Sequence, residues 1–388
     1  MKRFPFILVL LGVCVSLASA QTTWVADNNV GAPTGPSVFS TIQEAMDAAA
    51  DGDIVQVQPS PFAYGSVTIR TKNITLMGIG FNVDKETPLS SSMNDIYLSN
   101  SAANDSDADG VIIKGLYFDR LYPGHNTGPA YVLQNILIQN CQFNYITGSQ
   151  GYSEIDGMDL RDCRIIQSIS MYNHIRNSVF RNNLIYGDIQ WLGSVFDTSI
   201  ANNILYGGIY LVTESGSVTI LNNNFVGATG SETAFNSKLK YVMVANNIFY
   251  GSTPSISVGG SLSAEFRFNT FSNNMVYATG DDTMPPTGGV SGTDNNGLNN
   301  IIANPNFVNG AVSNSWIAAY DFSLQHGSPA IAAGSDGLDI GIYGGTYPFP
   351  DTNFILKTTD VPVIQILNTS GVINPGDDLP VRVKANSN

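Results

Sequence analysis

Two almost identical phrases lie close together in this chain: NNLIYGDIQW begins at Asn182 and NNILYGGIYL begins at Asn202. Weaker copies lie on both sides, and the first Asn-like position of each copy falls at residues 78, 115, 140, 162, 182, 202, 222, 246 and 268. Repeats of roughly 20–25 residues are typical of stacked repeat architectures. The repeat constrains the fold more than any other feature of the sequence.

Two columns of large apolar residues keep a fixed spacing from this Asn-like position. Two residues before it stand Leu76, Ile113, Ile138, Leu160, Phe180, Ile200, Ile220, Val244 and Phe266; three residues after it stand Phe81, Phe118, Phe143, Ile165, Ile185, Leu205, Phe225, Phe249 and Phe271. Alternation with a period of two indicates short strands with one buried face. The sequence therefore predicts an all-β fold, a parallel β-helix (solenoid) whose coils stack about 4.8 Å apart.

The paired asparagines are expected at a turn between strands. Asn tolerates left-handed backbone, and stacked Asn side chains can exchange amide hydrogen bonds from coil to coil. Cys141 and Cys163 stand in the second Asn position of their coils, so we interpret them as substitutes in this ladder. A disulfide between them and two buried free thiols both stay possible. The glycines five residues after the first Asn, Gly187, Gly207, Gly227 and Gly251, are predicted corners with positive φ.

Both ends of the repeat region resemble a known group of proteins. The stretch FSTIQEAMDAAADGDIVQV, which begins at Phe39, predicts a short helix capped by Ser40 or Thr41 and followed by a first strand. It resembles the opening of secreted right-handed β-helix proteins of the pectin-lyase-like superfamily. The motifs NPNFVN, DFSLQHGSPAIAAG and DIGIYGG, within residues 304–345, resemble the closing rungs of such proteins. The resemblance implies a right-handed helix with a polysaccharide as partner.

The resulting domain prediction has three parts. Residues 1–20 have a basic start, an apolar run and an Ala-Ser-Ala end, which predicts a cleaved signal peptide and a secreted or cell-surface protein. Residues 21–346 form the predicted β-helix, and residues 347–388 form a short C-terminal β tail that acts as a cap or as an attachment module. Its strand-like runs are 361–367 and 379–385.

Charge and hydropathy exclude several classes of partner. The net charge of −14 argues against nucleic-acid binding, because such proteins usually present a basic surface. No segment after the signal peptide has the roughly 18 apolar residues of a transmembrane helix. We expect a monomer.

Candidate catalytic residues lie one position before the first Asn, on the outward face of the strands. Arg161 and Arg181 stack on adjacent coils there, with Asp159 beside Arg161. β-Elimination on a uronate requires a base and a cation that stabilises the enolate-like charge. Arg161 and Arg181 could bind a carboxylate, with Asp159 as a metal ligand or an acid/base. The alternative interpretation is a surface Arg–Asp ladder that only keeps the face soluble.

Candidate binding residues are aromatic. Tyr186, Tyr206 and Tyr250 occupy one outward column, with Trp191 further along its coil, and stacked exposed aromatic rings can bind sugars. They could equally pack against overlying loops. The loop NDSDADG at 104–110 resembles a calcium loop in composition but lacks the closing Glu, so Ca²⁺ is a possible ligand and no cofactor or metal site is firmly predicted.

The function prediction keeps two classes open. The motifs of polygalacturonase-type hydrolases and the residue set of pectin methylesterases are absent from the sequence. We predict a secreted β-helix that binds polysaccharide on an outer sheet face without a complete catalytic set. The alternative is a polysaccharide lyase that cleaves a uronate-containing chain.

Overall fold

The computed structural model describes residues 21–33, 35–70, 73–80, 89–98, 108–124, 132–148, 154–211, 215–228, 232–235, 239–254, 266–286, 294–313, 315–317, 319–350, 363–369 and 381–386. The predicted signal peptide, the first four residues of the NDSDADG loop and Phe81 lie outside these ranges. Strands predominate, and they are arranged as a parallel β-solenoid.

The first face of the solenoid, here called sheet A, contains twelve strands in the described residues. In spatial order they are Val38–Phe39, Thr23–Ala26, Ile54–Val57, Thr75–Met77, Ile112–Lys114, Leu137–Gln139, Asp159–Arg161, Val179–Arg181, Ser199–Ala201, Thr219–Leu221, Met243–Ala245 and Thr270–Ser272. All of these pairings are parallel, and after the first two strands the spatial order follows the chain order. Each coil therefore returns to this face one strand further along the stack.

Sheet B has fourteen described strands. They are Val67–Ile69, Asp95–Leu98, Tyr117–Pro123, Gln142–Thr147, Arg164–Ile165, Ile169–Met171, Leu184–Ile185, Ile189–Trp191, Ile204–Leu205, Ile209–Leu211, Asn224–Val226, Ile248–Tyr250, Met275–Tyr277 and Ile301–Ile302. The strands at 117–123 and 142–147 are continuous, but three later coils each contribute two shorter strands separated by a corner. Sheet B thus divides into two wings.

A third parallel sheet, sheet C, closes the coil. Its described strands are Val132–Gln134, Glu154–Asp156, His174–Arg176, Val195–Phe196 and Ser215–Gly216. The three sheets enclose one core, in which like residues stack on like residues: Phe118 and Phe143 stack at 4.8 Å between ring centroids, and Phe225 and Phe249 at 4.9 Å. The predicted fold class, an all-β parallel β-helix with an N-terminal capping helix, is confirmed.

The predicted asparagine ladder is present inside the turn. Asn183 Nδ2 donates to Asn203 Oδ1 at 3.0 Å, and the same bond continues through Asn223 and Asn247 to Asn274. Cys141 and Cys163 are buried free thiols at the start of this column, and the backbone N–H of Cys163 donates to Asn183 Oδ1. Complete burial raises the pKa of the Cys163 thiol well above its usual value.

The sequence register was wrong in the last repeat. Val244 pairs with Phe271, so the Asn pair that follows is Asn273 and Asn274 rather than the position at Phe268. Phe249 likewise pairs with Val276. The phrase FRFNTF resembled a repeat because its apolar spacing matches, but Phe268 belongs to a different corner of the coil.

The corner glycines have a different explanation from the predicted one. Gly251 has a φ of +77°, as expected, but the other three lack positive φ. At Gly187 a Cβ atom would lie 2.1 Å from the carbonyl oxygen of Gln167, and at Gly207 it would lie 2.3 Å from the backbone of Gly187. Glycine is required at these positions because adjacent coils approach closely.

The N-terminal cap agrees with the prediction. The helix Ile42–Ala48 begins after Thr41, whose Oγ1 accepts a hydrogen bond from the backbone N–H of Glu44 at 3.2 Å. Its apolar face, Ile42, Ala45 and Met46, is buried against the first coils. The cap covers the end of the core that stacking would otherwise leave exposed.

The expected closing rungs are not rungs, which corrects the prediction for residues 304–345. Phe307–Asn309 and Asp321–Leu324 form a separate antiparallel pair, and the chain then runs back along the outside of the coils. We call residues 305–349 the cover segment. Its apolar residues pack on one wing of sheet B and form a second hydrophobic cluster with Leu184, Ile204, Val226, Ile248 and Met275. Val363–Thr369 and Val381–Asn386 form the tail hairpin.

The cover segment is anchored by the first Asn of successive coils. The side-chain amide groups of these residues donate to backbone oxygens of the cover: Asn273 to Ala333, Asn222 to Asp339 and Gly341, Asn202 to Ile342 and Gly344, and Asn182 to Tyr347. Asn246 exchanges two hydrogen bonds with Ser335. The cover therefore runs in the direction opposite to the stack, across five coils.

Candidate functional site

The structure brings the three predicted catalytic residues together on the outward face of sheet A. Asp159 Oδ2 lies 3.0 Å from Arg181 Nη2 and 3.4 Å from Arg161 Nη1, and Arg181 Nε donates to Asp159 Oδ1 at 3.2 Å. The stacking follows from the parallel register, which places Arg161 opposite Arg181. A single carboxylate thus binds both cations.

The cover segment further restricts Arg181. The ring of Tyr347 lies 4.7 Å from the guanidinium carbon, and the Arg181 side chain is 18% exposed. Arg161 Nη2 donates to Gln139 Oε1 at 3.4 Å. Both cations share Asp159, and Gln139 and the Tyr347 ring occupy further positions around them, so a substrate carboxylate would have to compete with these partners. The geometry favours the structural Arg–Asp ladder over a catalytic group.

Asp162 is a residue next to this ladder that the sequence reasoning did not single out. It has left-handed backbone, and its Oδ2 accepts a hydrogen bond from Gln139 Nε2 at 3.2 Å. Burial raises the pKa of this carboxyl, although the hydrogen bond and the two arginines act in the opposite direction. A carboxyl with a raised pKa next to cations has the character of a general base.

The predicted tyrosine column faces outward but is not an exposed platform. Tyr186 stacks on Tyr206 at 5.6 Å and Tyr250 on Tyr277 at 5.7 Å. The cover segment lies over them, so Tyr206 is 7% and Tyr250 is 8% exposed, and burial raises the pKa of both phenols. The prediction of an exposed sugar platform is wrong for these two residues because the cover was not recognised.

Trp191 and Tyr186 depart from that prediction in different ways. Trp191 is fully buried and packs edge-on against Phe180 in the main core, at 5.5 Å. Its assignment to the binding surface is wrong because a corner follows Tyr186. The inward and outward positions of the next strand, Ile189–Trp191, therefore cannot be counted on from Tyr186. Tyr186 lies at the edge of the cover, half-buried, and accepts a hydrogen bond from Arg164 Nη2 at 3.0 Å.

A different aromatic surface lies on the other wing of sheet B, with half-buried tyrosines around an exposed arginine, and the sequence reasoning missed it. We call Tyr97, Arg120, Tyr122 and Tyr145 the open aromatic patch. Tyr97 and Tyr122 pair directly across adjacent coils and stack with centroids 4.8 Å apart and planes 5° apart. The Arg120 guanidinium lies 5.0 Å from the Tyr145 ring.

Hydrogen bonds fix the hydroxyl groups of the two stacked rings in the open aromatic patch. Arg120 Nη1 donates to the Tyr122 hydroxyl at 3.2 Å, and the Tyr97 hydroxyl donates to Asp95 Oδ2 at 3.2 Å. Arg120 remains 44% exposed, and its ion pair with Asp119 is loose, at 3.6 Å. Unlike Arg161 and Arg181, this cation is accessible to a ligand.

A polar column continues from the patch along the same wing. Thr147, Ser170, Gln190 and Tyr210 are register partners on successive coils. The Ser170 hydroxyl donates a hydrogen bond to Gln190 Oε1 at 3.5 Å. Hydroxyl and amide groups at a repeat of about 4.8 Å provide donors and acceptors along an extended track.

No metal centre is assigned. Within the described ranges, no group of three or more His, Cys, Asp or Glu side chains is placed to hold a metal ion. Of the calcium-like loop, residues 108–110 are described; there the backbone N–H of Gln134 donates to Asp109 Oδ1 at 2.6 Å. In the part of the chain that the structure describes, no helix is long and apolar enough to cross a membrane.

Comparison with known proteins gives a likeness in structure alone. No protein-family model and no curated protein sequence matches the chain. Among solved structures, the crystal structure of pectate lyase Pel9A aligns with 82% of this chain and 95% of its own, at 14% sequence identity and a TM-score of 0.29. The parallel β-helix assignment rests on the strand pairing described above.

Proposed function

We propose that this chain binds polysaccharide along the outward face of the open wing of sheet B, with the open aromatic patch as its centre. The observation that carries the proposal is the parallel stack of Tyr97 and Tyr122 beside the accessible Arg120. Aromatic rings present flat apolar faces that complement the C–H face of a sugar, while a guanidinium binds carboxylate or hydroxyl oxygens.

Two further features support a carbohydrate ligand. The polar column from Thr147 to Tyr210 extends the surface along the stack, which suits a linear chain longer than one sugar. The predicted export signal and the net charge of −14 agree with a glycan partner outside the cell rather than with a nucleic acid. The two carboxylates next to the patch already have partners, Asp95 in the Tyr97 hydroxyl and Asp119 in Asn144 and Arg120, so we propose retention of the glycan without turnover.

Substitution of Tyr122 tests the proposal. In affinity gels containing a panel of neutral and uronate-containing polysaccharides, we expect the mature protein to be retarded by at least one polymer. Tyr122→Ala removes one ring of the stack and the hydrogen bond to Arg120, and should weaken binding about tenfold. Phe196→Ala removes an exposed aromatic ring from sheet C and is the matched control. Equal retardation of both variants and the wild type would disprove the proposed site.

A lyase that acts by β-elimination is the second candidate. The observation that favours it is the carboxyl of Asp162 next to a cation, since Gln139 donates to Asp162 and accepts from Arg161. It predicts release of unsaturated uronate products, detected by their ultraviolet absorbance, from the same panel. The activity should disappear in Asp162→Asn and in Arg161→Ala while binding at the open aromatic patch persists. Shortening of the glycan that depends on these residues would replace the binding-only proposal.

A further inference from the structure

One corner of the coil has left-handed backbone in every described repeat from residue 135 onward, five positions before the first Asn. Residues at this corner have φ between +47° and +84°: Asn135, Gly157, Asn177, Asp197, Ser217, Tyr241, Phe268 and Asp294. Six of the eight are Gly or short polar residues, which tolerate this backbone. Tyr241 and Phe268, here called the corner pair, are large aromatic residues on adjacent coils.

The side chains of the corner pair are exposed although their backbone is strained. Tyr241 is 62% and Phe268 is 39% exposed, and their rings stack on each other at 5.4 Å with planes 10° apart. An aromatic side chain at positive φ has no local hydrogen bond that offsets the steric cost. Strained backbone that persists at an exposed position is more typical of a ligand contact than of a folding element.

The side chains beside the corner pair are positively charged, although the chain as a whole is acidic. Lys240 and Arg267 precede the two aromatic residues and pair with each other across adjacent coils, although the chain contains only 17 Lys and Arg against 31 Asp and Glu. The Arg267 guanidinium lies 5.0 Å from the Phe268 ring, and its Nε atom is buried without a hydrogen-bond partner. With the described residues Arg267 forms no ion pair.

One apolar side chain of the strand that follows Tyr241 extends the surface. Met243, at the start of the strand Met243–Ala245, is 43% exposed. With the corner pair it adds apolar surface beside two cations. Exposed apolar surface with a charged edge is typical of a binding site.

We propose that the corner pair, with Arg267 and Lys240, binds an anionic sugar unit, a uronate, of a polysaccharide. The sugar ring stacks on Tyr241, the more exposed ring, and its carboxylate binds Arg267. This goes beyond the function proposed above, because it assigns a second site at the edge of sheet A, and it shares with that function only the class of ligand.

Calorimetric titration of the mature protein with a short oligogalacturonide tests the assignment, with a neutral galactose oligomer of the same length as the comparison. Tyr241→Asn should abolish one binding step or weaken it about tenfold, and Arg267→Gln should remove its preference for the charged oligomer. Ser217→Asn changes the same corner two coils away from Phe268 and is the matched control. Tyr122→Ala should leave this step intact, which separates it from the open aromatic patch.

Stability provides an independent readout of Tyr241→Asn. Asn is suited to left-handed backbone, so a ligand-binding role predicts that the substitution raises the Tm by about 1–3 °C while binding is lost. A fall in Tm together with unchanged oligosaccharide binding would show that the ring stack serves the fold and would overturn the proposal. Dimerisation of the wild-type protein that Tyr241→Asn abolishes, with no charged-oligomer binding, would also overturn it.

Discussion

The side chains of Asn202 and Asn203 serve opposite sides of the coil wall. Asn203 lies inside, where its Nδ2 atom donates to Asn223 Oδ1 and its Oδ1 atom accepts from Asn183. Asn202 has a φ of +54° and lies outside, where its amide binds two carbonyl oxygens of the cover segment. One residue holds coil to coil, and the other holds coil to cover.

Alanine substitution should separate these two roles. Asn203→Ala leaves buried donors of Asn183 unpaired and should lower the free energy of unfolding by about 3–5 kcal/mol. Asn202→Ala loses two hydrogen bonds and the residue suited to positive φ, and should cost about 2–3 kcal/mol. Asn140→Ala is the control, since Asn140 has the same backbone without a bond to the cover in the described residues, and should cost about 1 kcal/mol. Equal losses in urea denaturation would contradict the division.

Titration of Tyr64, a buried phenol near the N-terminal cap, should make the folding stability of the protein depend on pH. Burial raises its pKa from 10.0 to about 12, and its hydroxyl lies within hydrogen-bonding distance of the carbonyl oxygens of Ala26 and Gln58. Below pH 10 the phenol is protonated in both states. Between pH 10 and 12 the unfolded chain releases the proton and the folded chain retains it, so stability should fall through that window.

Tyr64→Phe should flatten this part of the profile. Thermal unfolding measured at several pH values should give a smaller loss of Tm in the variant than in the wild type. A residual slope is expected from Tyr206 and Tyr250, whose pKa values burial also raises. A variant with the full wild-type slope would show that Tyr64 does not control it.

The outward residues of sheet B change from polar to apolar where the cover segment packs on the strands. The column that begins with Tyr117, Gln142 and Arg164 is polar or half-exposed, and it continues as Leu184, Ile204, Ile248 and Met275 where the cover packs. Asn224 is the exception in the covered part. It is fully buried, and neither side-chain polar atom has a hydrogen-bond partner among the described residues.

Asn224→Leu should therefore stabilise the protein by about 1–2 kcal/mol. Leu has a similar branched shape, matches the neighbouring column residues, and removes the cost of an unpaired buried amide. Asn223→Leu is the matched control, because the adjacent amide is equally buried but is part of the ladder, and it should strongly destabilise. Urea denaturation of the two variants measures both effects, and destabilisation by Asn224→Leu would mean that the amide has a partner.

At this scale the sequence predicts strands better than the surfaces they present. The capping helix, the Asn ladder as far as Asn247 and the described apolar columns as far as Phe249 follow from local spacing and were predicted correctly, whereas the register of the last repeat was not. The cover could not be derived in the same way, since the bond from Asn182 to Tyr347 joins residues 165 apart in the chain. The burial of Tyr206 and Tyr250 depends on that contact, and the predicted sugar platform was wrong for this reason.

For the whole molecule, the cover divides the stack into two regions of different stability. Repeat proteins are stabilised mainly by contacts between neighbouring coils, so fluctuations can remain local. The cover adds contacts that join coils from Asn182 to Asn273, whereas the described coils before Asn140 lack bonds to it. The bonded coils should open together with the cover.

Hydrogen exchange can test this coupling. In an Asn202→Ala, Asn222→Ala double variant, the backbone amides of 333–347 and of sheet B strands 204–250 should exchange faster than in the wild type. Amides of Ile112–Lys114 and Leu137–Gln139 should keep their protection, since they stack only on neighbouring coils. Uniformly faster exchange across both regions would show that the solenoid opens as one unit.

The reversed course of the cover also fixes how many repeats this protein can have. Each of its anchor points is matched to a particular coil, so an extra coil duplicated between Asn202 and Asn222 would displace every later anchor by about 4.8 Å. The cover would then need a matching insertion at the corresponding place. On the coil before Asn182, the Arg164 guanidinium still lies 5.9 Å from the ring of Trp316 in the cover. Coils before that one have no contact with the cover among the described residues, so changes in the length of this protein should accumulate in those coils.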